Sequence, residues 1–274
     1  MGKRKTKKKG VSFVTLLLAV ILVGCGLFRN YLFPTPKGLE IPYFEADKTN
    51  QVIEHMGYTV SYNQSMLIPN WVAYVLDIYG VRGDVKRTDN FCPDPDIIGP
   101  QAELSDYRNS GYDRGHMAPA GDMKWSSQAM EESFYLSNMC PQLHNLNNGD
   151  WKELEELLRT LTDTYPKLYI VSGPIVEKKN PKTIGANRVV VPDKFFKAVV
   201  AQRSLLDNAL GGAEEYTAIG FVFPHVAGHK PLKAYACTID SLEKVIGMDL
   251  FHNLDDKIEK AIEKQYSLSD WNIK

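Results

Sequence analysis

The sequence lacks the short motifs that mark several large enzyme classes. It contains no Gly-x-Ser-x-Gly, His-Glu-x-x-His, Walker or Gly-x-Gly-x-x-Gly pattern, and no internal repeat is visible. Those patterns are typical of α/β-hydrolases, zinc proteases, P-loop NTPases and dinucleotide-binding enzymes. Any catalytic site must therefore be built from other residues.

Cysteine is scarce, and its spacing excludes the common zinc-binding patterns. The four cysteines are Cys25, Cys92, Cys140 and Cys237, and none of them forms a Cys-x-x-Cys pair. If Cys25 has a separate fate, the other three allow at most one disulfide and one free thiol within the chain. The residues alone leave the choice of that pair open.

The chain also lacks a strongly basic body. Its formal net charge is −1 over 274 residues, and six of its 32 basic residues lie between positions 3 and 9. Without the first 25 residues, 26 basic residues face 33 acidic ones, a balance of −7. A protein that holds nucleic acid by overall charge would be basic. Any site for a polyanion must be local.

The N-terminus has the layout of an export signal. A basic run precedes the apolar segment 11–23, as in the charged and hydrophobic regions of a signal peptide. The next residues, Leu22-Val23-Gly24-Cys25, resemble a bacterial lipobox, in which cleavage exposes Cys25 for lipid attachment. An uncleaved anchor is an alternative, because 11–28 is near the lower limit of about 17–25 residues for a membrane span. Ordinary cleavage, giving a secreted or periplasmic protein, is a third.

All three alternatives place the rest of the chain outside the cytoplasm, attached to a bacterial membrane through the N-terminus or released from it. We therefore divide the chain into a signal, lipoprotein or anchor segment (1–28), a proline-containing linker (29–42) and one folded domain (43–274).

Hydrophobic periodicity predicts an α+β domain with a mostly antiparallel central sheet flanked by helices. Segments 58–62 and 71–79 alternate with a period of two around a polar turn, which predicts an antiparallel pair. Ser126 can cap one helix, and Asp150 can similarly cap another, in which the leucines have helical spacing. The other predicted elements are strands at 168–172, 188–191, 195–201 and 216–223, a helix near Asp255 and a long loop at 80–111.

The central stretch Asp113-Arg114-Gly115-His116 carries the strongest chemical signal. A neutral imidazole, with a reference pKa of about 6.5, can accept a proton from water at physiological pH, although a lone histidine is more often structural. Asn138 and Asn147 offer neutral amide oxygens, which suit hard cations such as Mg²⁺. Asparagines in such runs are also common turn residues.

Further polar residues extend the candidate site. Asn147, Trp151 and Glu155 are spaced by four, so they share one flank if the helix extends back to Asn147. Glu155 would then hold metal-bound waters; the alternative is a solvated glutamate on the helix surface. Arginine binds phosphate through paired hydrogen bonds, and the arginines considered for this role are Arg87, Arg108 and Arg114, although surface arginines are common.

Together these residues resemble a known signature. Asp113-Arg114-Gly115-His116, Asn138-x-x-Pro141-Gln142, and Asn147-x-Gly149-x-Trp151 with Glu155 are similar to the active site of the DNA/RNA non-specific endonucleases of the ββα-metal class. Secreted bacterial nucleases and mitochondrial endonuclease G belong to this family. Framework segments at 55–71, 191–197 and 246–251 extend the resemblance over nearly all of residues 43–265.

The resemblance implies a ββα-metal site with a defined mechanism. In it, His116 is the general base and Asn147 is the single protein ligand of a hydrated Mg²⁺, which Mn²⁺ can replace. His116 deprotonates a water, the hydroxide attacks phosphorus in line, and Mg²⁺ stabilises the developing charge and the leaving 3′-oxygen. The remaining implied members are Glu155 as an anchor of metal-bound waters, Asn138 as support, and Arg87 and Arg114 as phosphate contacts.

The expected function is thus a metal-dependent endonuclease that hydrolyses DNA and RNA to products with a 5′-phosphate. Contacts to the phosphate backbone imply weak sequence preference and strong salt sensitivity. A phosphodiesterase acting on nucleotides or other small diesters is the alternative with the same site. A non-catalytic binding module is a third possibility, against which the set of His116, Asn147 and Glu155 argues.

Overall fold

The computed structural model describes residues 37–203 and 216–274. Residues 38–274 form one compact unit, which contains the proposed domain 43–274. The predicted signal or anchor segment and most of the linker lie outside the described residues. Within the described ranges, no helix has both the length and the apolar composition needed to cross a membrane.

The centre of the fold is a seven-stranded sheet in which all neighbouring strands are antiparallel. The described strands are β1 (Gln51–Glu54), β2 (Thr59–Asn63), β3 (Ile68–Leu76), β4 (Asp113–His116), β5 (Met139–Gln142), β6 (Lys167–Ile175), β7 (Thr183–Ile184), β8 (Val189–Val190), β9 (Lys194–Gln202), β10 (Tyr216–Pro224) and β11 (Ala236–Cys237). The large sheet has the order β1-β2-β3-β6-β9-β10-β11, and β4-β5 and β7-β8 form two separate small pairs. The predicted α+β class with a mostly antiparallel sheet is confirmed.

Helices connect and cover the strands. The described α-helices are α1 (Ile78–Arg82), α2 (Leu104–Tyr107), α3 (Ser127–Glu132), α4 (His144–Asn147), α5 (Asp150–Leu161), α6 (Ile239–Ile246) and α7 (Asp256–Ile262). The hydroxyl of Ser126 accepts from the amide of Ala129 at 3.4 Å, so the predicted cap of α3 is confirmed. Asp255 caps α7 in the same way, near the predicted start of that helix.

Both faces of the sheet are buried, which positions the site on one of them. Along β9, Phe195, Val199 and Ala201 pack into one hydrophobic cluster, whereas Phe196 and Val200 pack into the other. This alternation follows from the period of two along a strand. Helix α5 covers the first face through Trp151, Leu154, Leu158 and Leu161, and α6 and α7 cover the second through Ile239, Leu242 and Ile262.

Two local predictions were wrong. The strand predicted to reach Tyr79 ends at Leu76, because the carboxylate of Asp77 accepts from the amides of Tyr79 and Gly80 and begins α1. Asp150 does not cap α5: Gly149 occupies that position, and Asp150 is the first helical residue. Its carboxylate instead accepts from the Tyr235 hydroxyl and the amide of Lys230, and it contacts His229.

No disulfide links the cysteines of the described residues. Cys92, Cys140 and Cys237 are all free thiols. Cys140 is fully buried on β5 directly beside the predicted site, and burial raises the pKa of its thiol. This thiol therefore behaves as a small apolar side chain, and the fold does not depend on a covalent cross-link between these residues.

The leucines of α5 allow a stability prediction within one helix. Leu154 is completely buried and Leu157 only partly so. Leu154→Ala is expected to lower the free energy of unfolding by about 2–5 kcal/mol, because it removes buried carbon and leaves a cavity. Leu157→Ala should cost clearly less in the same urea denaturation experiment. Equal losses for the two variants would contradict this packing.

Candidate active site

The candidate site is built on the small β4-β5 pair and the two helices that follow it. His116 lies opposite Met139 and Gly115 opposite Cys140 in this antiparallel pair. A Cβ atom at position 115 would lie 2.3 Å from Oε1 of Gln142, so only glycine permits this close approach. Strands β4 and β5 and helix α5 thus follow one another along the chain in the order that a ββα site requires.

Three consecutive carbonyl groups fix the backbone at and after His116. The indole nitrogen of Trp151 donates to the His116 carbonyl at 3.2 Å. The hydroxyl of Ser172 donates to the Met117 carbonyl at 2.8 Å, and Nζ of Lys197 donates to the same oxygen at 3.4 Å. These donors come from α5, β6 and β9. The chain leaving His116 is therefore attached directly to the central sheet and to α5.

Asn138 completes this attachment. Its Oδ1 accepts from the amide of Ala118 at 2.8 Å, and its Nδ2 donates to the carbonyls of Ala118 and Ser133, both at 2.8 Å. The side chain is fully buried, and its amide oxygen and both amide hydrogens are engaged. Asn138 therefore positions the chain after His116 and has no free oxygen to offer a metal ion.

The imidazole of His116 is buried between aromatic rings. Its ring centroid lies 5.7 Å from that of Phe91 and 5.2 Å from that of Phe134, both edge-on. Nε2 is buried and has no hydrogen-bond partner among the described residues. Burial, together with the positive charges of Arg87 and Arg114, lowers the pKa of His116 to about 3. The group is therefore neutral at physiological pH and has an unoccupied lone pair.

An open cleft of about 540 Å³ is lined by Phe91, one of the two rings that contact His116. Its polar lining residues are Arg87, Arg108, Arg114, Asp89, Asp113, Asn147 and the tyrosines Tyr107 and Tyr112. The guanidinium of Arg114 lies 4.0 Å above the Phe91 ring and that of Arg87 lies 4.8 Å from the Phe134 ring. The two rings that contact His116 thus each carry one arginine, and the structure brings all three sequence-predicted arginines together.

Asn147 is oriented by a residue that had no assigned role. Its Nδ2 donates to the carboxylate of Asp113 at 2.9 Å, and Nδ1 of His144 contacts the same oxygen at 2.9 Å. Because Nδ2 is engaged in this hydrogen bond, the amide oxygen Oδ1 of Asn147 is the atom that remains available to a ligand. Asp113 belongs to the quoted motif, but its type and spacing did not indicate this function.

This donor set fits a hydrated hard cation. One neutral amide oxygen matches a metal such as Mg²⁺ that keeps several waters. Among the described residues, the groups of three or more histidine, cysteine or carboxylate ligand atoms close enough to share an ion all lie elsewhere.

Glu155 is not a fully exposed glutamate. It also does not share a continuous helix with Asn147. Residues 148 and 149 separate α4 from α5, so only Trp151 and Glu155 share a flank, and the four-residue argument fails at Asn147. Glu155 is half-buried, which contradicts the surface alternative. Burial raises its pKa to about 7, while the charge of the fully buried Lys197 opposes that shift. Burial also lowers the pKa of Lys197 to about 8.

An ion pair lies close to Glu155. Arg159 donates to the buried carboxylate of Asp122 at 2.8 Å, and the Tyr74 hydroxyl donates to the same carboxylate at 3.1 Å. Asp122 and Arg159 both act electrostatically on Glu155 and on Lys197. Sequence reasoning quoted Lys197 only as a framework residue and missed this network, because its members are distant in sequence.

A family model for DNA/RNA non-specific endonucleases matches residues 36–257. The chain belongs to this family. The resemblance seen in the motifs is therefore confirmed. The match covers the candidate site and all seven strands of the central sheet.

Named relatives agree with the assignment. The endonuclease domain is 35% identical over 215 residues to human mitochondrial nuclease EXOG, a match that covers 73% of this chain and 57% of the relative. It is 32% identical to bovine mitochondrial endonuclease G, covering 74% and 70%, and 30% identical to a mitochondrial nuclease of Saccharomyces cerevisiae, covering 91% and 89%. The chain thus spans little more than half the length of the EXOG relative.

A solved structure shares the fold. A chain of the EndoG/EndoGI complex superposes with a TM-score of 0.67 at 30% identity, covering 76% of this chain and 89% of that chain. The described architecture is therefore that of this family.

The electrostatics of His116 give a testable prediction. Arg87→Gln removes one of the two cations that lower its pKa, so the pKa of His116 is expected to rise toward its ordinary value. An NMR titration of the His116 ring in metal-free protein measures this pKa. Arg108→Gln makes the same charge change in the same cleft without acting on His116. A similar pKa rise in both variants would contradict the specific effect of Arg87.

Proposed function

We propose that this protein is a divalent-metal-dependent endonuclease that hydrolyses phosphodiester bonds of DNA and RNA. One observation carries the proposal: three arginines and an oriented asparagine line one cleft, and two of these arginines act electrostatically on the neutral imidazole of His116. A base, a phosphate-binding surface and a metal ligand are the parts that such a hydrolysis needs.

His116 would act as the general base. Its low pKa keeps it unprotonated at neutral pH, so it can accept a proton from an attacking water. The hydrogen bond from Trp151 and the rings of Phe91 and Phe134 hold its position. A fixed base needs no reorganisation when the proton moves, which favours proton transfer from one well-placed water.

The cleft would hold the phosphate backbone through Arg87, Arg108 and Arg114. All three side chains reach one open surface, where guanidinium groups can pair with phosphate oxygens. Such contacts orient a strand without reading its bases, which supports action on both DNA and RNA. Arg87 is held at 2.6 Å by Asp89, so it is already partly ordered before substrate binds.

The metal would be held by Oδ1 of Asn147, with Glu155 contacting its waters. When bound, a hydrated Mg²⁺ or Mn²⁺ supplies positive charge that stabilises the developing charge on the phosphate and the leaving oxygen. Asp113 contributes by fixing the Asn147 amide, and Lys197 contributes by opposing protonation of Glu155. Products would carry a 5′-phosphate.

Replacing His116 tests the proposal. His116→Ala is expected to lower the rate of plasmid nicking and RNA cleavage in Mg²⁺ by roughly 10²–10⁴-fold, because the general base is lost. EDTA should abolish cleavage by the wild type, and Mg²⁺ or Mn²⁺ should restore it. His252→Ala is the matched control, since His252 contacts Tyr43 in another part of the structure.

Wild-type activity in His116→Ala, with the fold intact by circular dichroism, would remove His116 from the proposed role. Assays on a small chromogenic diester distinguish the alternative function. Hydrolysis of that diester with no cleavage of long DNA or RNA would show a small-molecule phosphodiesterase instead.

We also propose that the domain functions outside the cytoplasm of a bacterium, tethered through a lipid on Cys25. The supporting observation is the basic run, apolar segment and Leu22-Val23-Gly24-Cys25 pattern. The named relatives are mitochondrial, so the pattern in this chain carries the proposal alone.

Lipid labelling tests the tether. In a bacterial host fed labelled palmitate, the wild-type chain should incorporate label and fractionate with membranes, and Cys25→Ala should lose the label. Cys237→Ala is the control, because Cys237 is a free, half-buried thiol of the folded unit. A wild-type chain at the membrane without label would instead show an uncleaved anchor.

A further inference from the structure

Five carboxylates converge where α6, the 247–255 connection and α7 meet. These carboxylates belong to Asp240 and Glu243 on α6, Asp249 on the connection, Glu259 on α7 and Glu263 at the C-terminal cap of α7. This group, here called the acidic cluster, lies on helices that cover the sheet face opposite the one that carries α5 and the nuclease cleft. The proposed nuclease function uses none of its members.

Two sets of ligand atoms share one residue. Oxygens of Asp240, Glu243 and Glu263 all lie within 4.8 Å of one another, and so do oxygens of Asp249, Glu259 and Glu263. Opposite ligands of an ion with metal–oxygen distances of about 2.3–2.6 Å are separated by about 5 Å. Both sets therefore have the spacing of atoms around one bound cation, with Glu263 common to them.

Glu263 has a buried carboxylate oxygen that the hydrogen bonds of the described residues do not satisfy. It is only 7% exposed, and its Oε1 is buried without a hydrogen-bond partner among the described residues. The carboxylates that act on it electrostatically are Glu243, Glu259, Asp240 and Asp249, so its side chain faces the cluster. An unpaired buried carboxylate oxygen costs free energy unless a ligand satisfies it.

The backbone around the cluster is held in place. The amide of Asp240 donates to the Glu263 carbonyl at 3.1 Å, which links α6 to the end of α7. The amide of Leu250 donates to Oε1 of Glu243 at 2.7 Å. Glu243 therefore keeps its other oxygen for a ligand, and the carboxylates are presented by an ordered frame.

Among the described residues, the positive charge found beside the cluster is that of Lys260, which acts on Glu259. None of its five carboxylates forms an ion pair with a lysine, arginine or histidine within the described ranges, although Lys260 pairs with the neighbouring Asp256. The cluster is thus electrostatically strained without a bound positive charge.

We propose that the acidic cluster is a Ca²⁺ site that joins α6 to α7. Five carboxylates on two helices and a connection provide many oxygen ligands of adaptable geometry, which Ca²⁺ accepts at 6–8 coordination. Mg²⁺ demands a tighter octahedron and keeps its waters, so it fits this crowded site less well. The absence of histidine and cysteine from the cluster disfavours Zn²⁺.

Bound Ca²⁺ would stabilise the second face of the fold. Ile239 and Leu242 of α6 and Ile262 of α7 pack into the hydrophobic cluster on that face. Tying the two helices together through Glu263 would therefore hold this layer on the sheet. A ligand that binds only the folded state raises its stability in proportion to the logarithm of its concentration above the Kd.

Thermal unfolding and calorimetric titration of the EDTA-treated full-length chain with CaCl₂ test the site. The wild type is expected to bind Ca²⁺ saturably and to gain roughly 5–10 °C in Tm at about 100-fold above the Kd. Glu263→Gln should abolish this gain. Asp256→Asn is the matched control, because Asp256 is an exposed acid of α7 outside both ligand sets.

Asp249→Asn provides a second variant whose exposed position protects it from a folding defect. It should weaken Ca²⁺ binding by at least about tenfold, since affinity depends on the charge of the ligand set. Absence of saturable binding in the wild type, or an equal Tm gain in the wild type, Glu263→Gln and Asp249→Asn, would overturn the proposal. Activity is not the readout, so the outcome is independent of the nuclease assignment.

Discussion

The position of His116 depends on hydrogen bonds to three successive carbonyl groups. Trp151 donates to residue 116, Ser172 and Lys197 donate to residue 117, and Asn138 donates to residue 118. Each such bond contributes only about 1 kcal/mol net, but a buried group left unpaired costs about 1–3 kcal/mol. A shift of this segment would break several bonds at once, so the imidazole has essentially one allowed position.

The same attachment explains why charged side chains lie under the site. Lys197 must be buried to reach the Met117 carbonyl, and burial alone favours its neutral form. Glu155 and Asp122 supply the opposing charges, while Arg159 compensates Asp122. Removing one member of such a network leaves an uncompensated buried charge, which is the costly case for buried ion pairs. Support of the backbone and tuning of Glu155 are therefore coupled.

Local patterns predicted the parts of this fold that are long or locally bonded. The leucines of α5, the cap at Ser126 and the alternation of β2 and β3 are such signals, because each depends on neighbours within a turn or a strand. Strands of two to four residues, such as β1, β7 and β11, carry too few residues to show a period.

The site was predictable in its membership and less so in its connections. Motif resemblance grouped His116 with Asn147 and Glu155, but the condition that one helix extends from Glu155 back to Asn147 is not met. Gly149 breaks that helix, and a Cβ there would lie 2.2 Å from the Asn145 carbonyl oxygen. The enclosure of His116 by Phe91 and Phe134, and the role of Asp113, arise from contacts between distant segments. No local pattern encodes such contacts.

The acidic balance of the chain is compatible with a polyanionic substrate because charge is segregated by the sheet. The arginines of the cleft lie on the side of the central sheet that α5 covers, whereas the acidic cluster lies on the side that α6 and α7 cover. Packed layers are about 10 Å apart, and the Debye length at physiological salt is about 8 Å. Repulsion from the far face is thus largely screened at the cleft, where Arg87, Arg108 and Arg114 set the local potential. The net charge of the chain therefore does not exclude a polyanionic ligand at the cleft, where Arg87, Arg108 and Arg114 lie together.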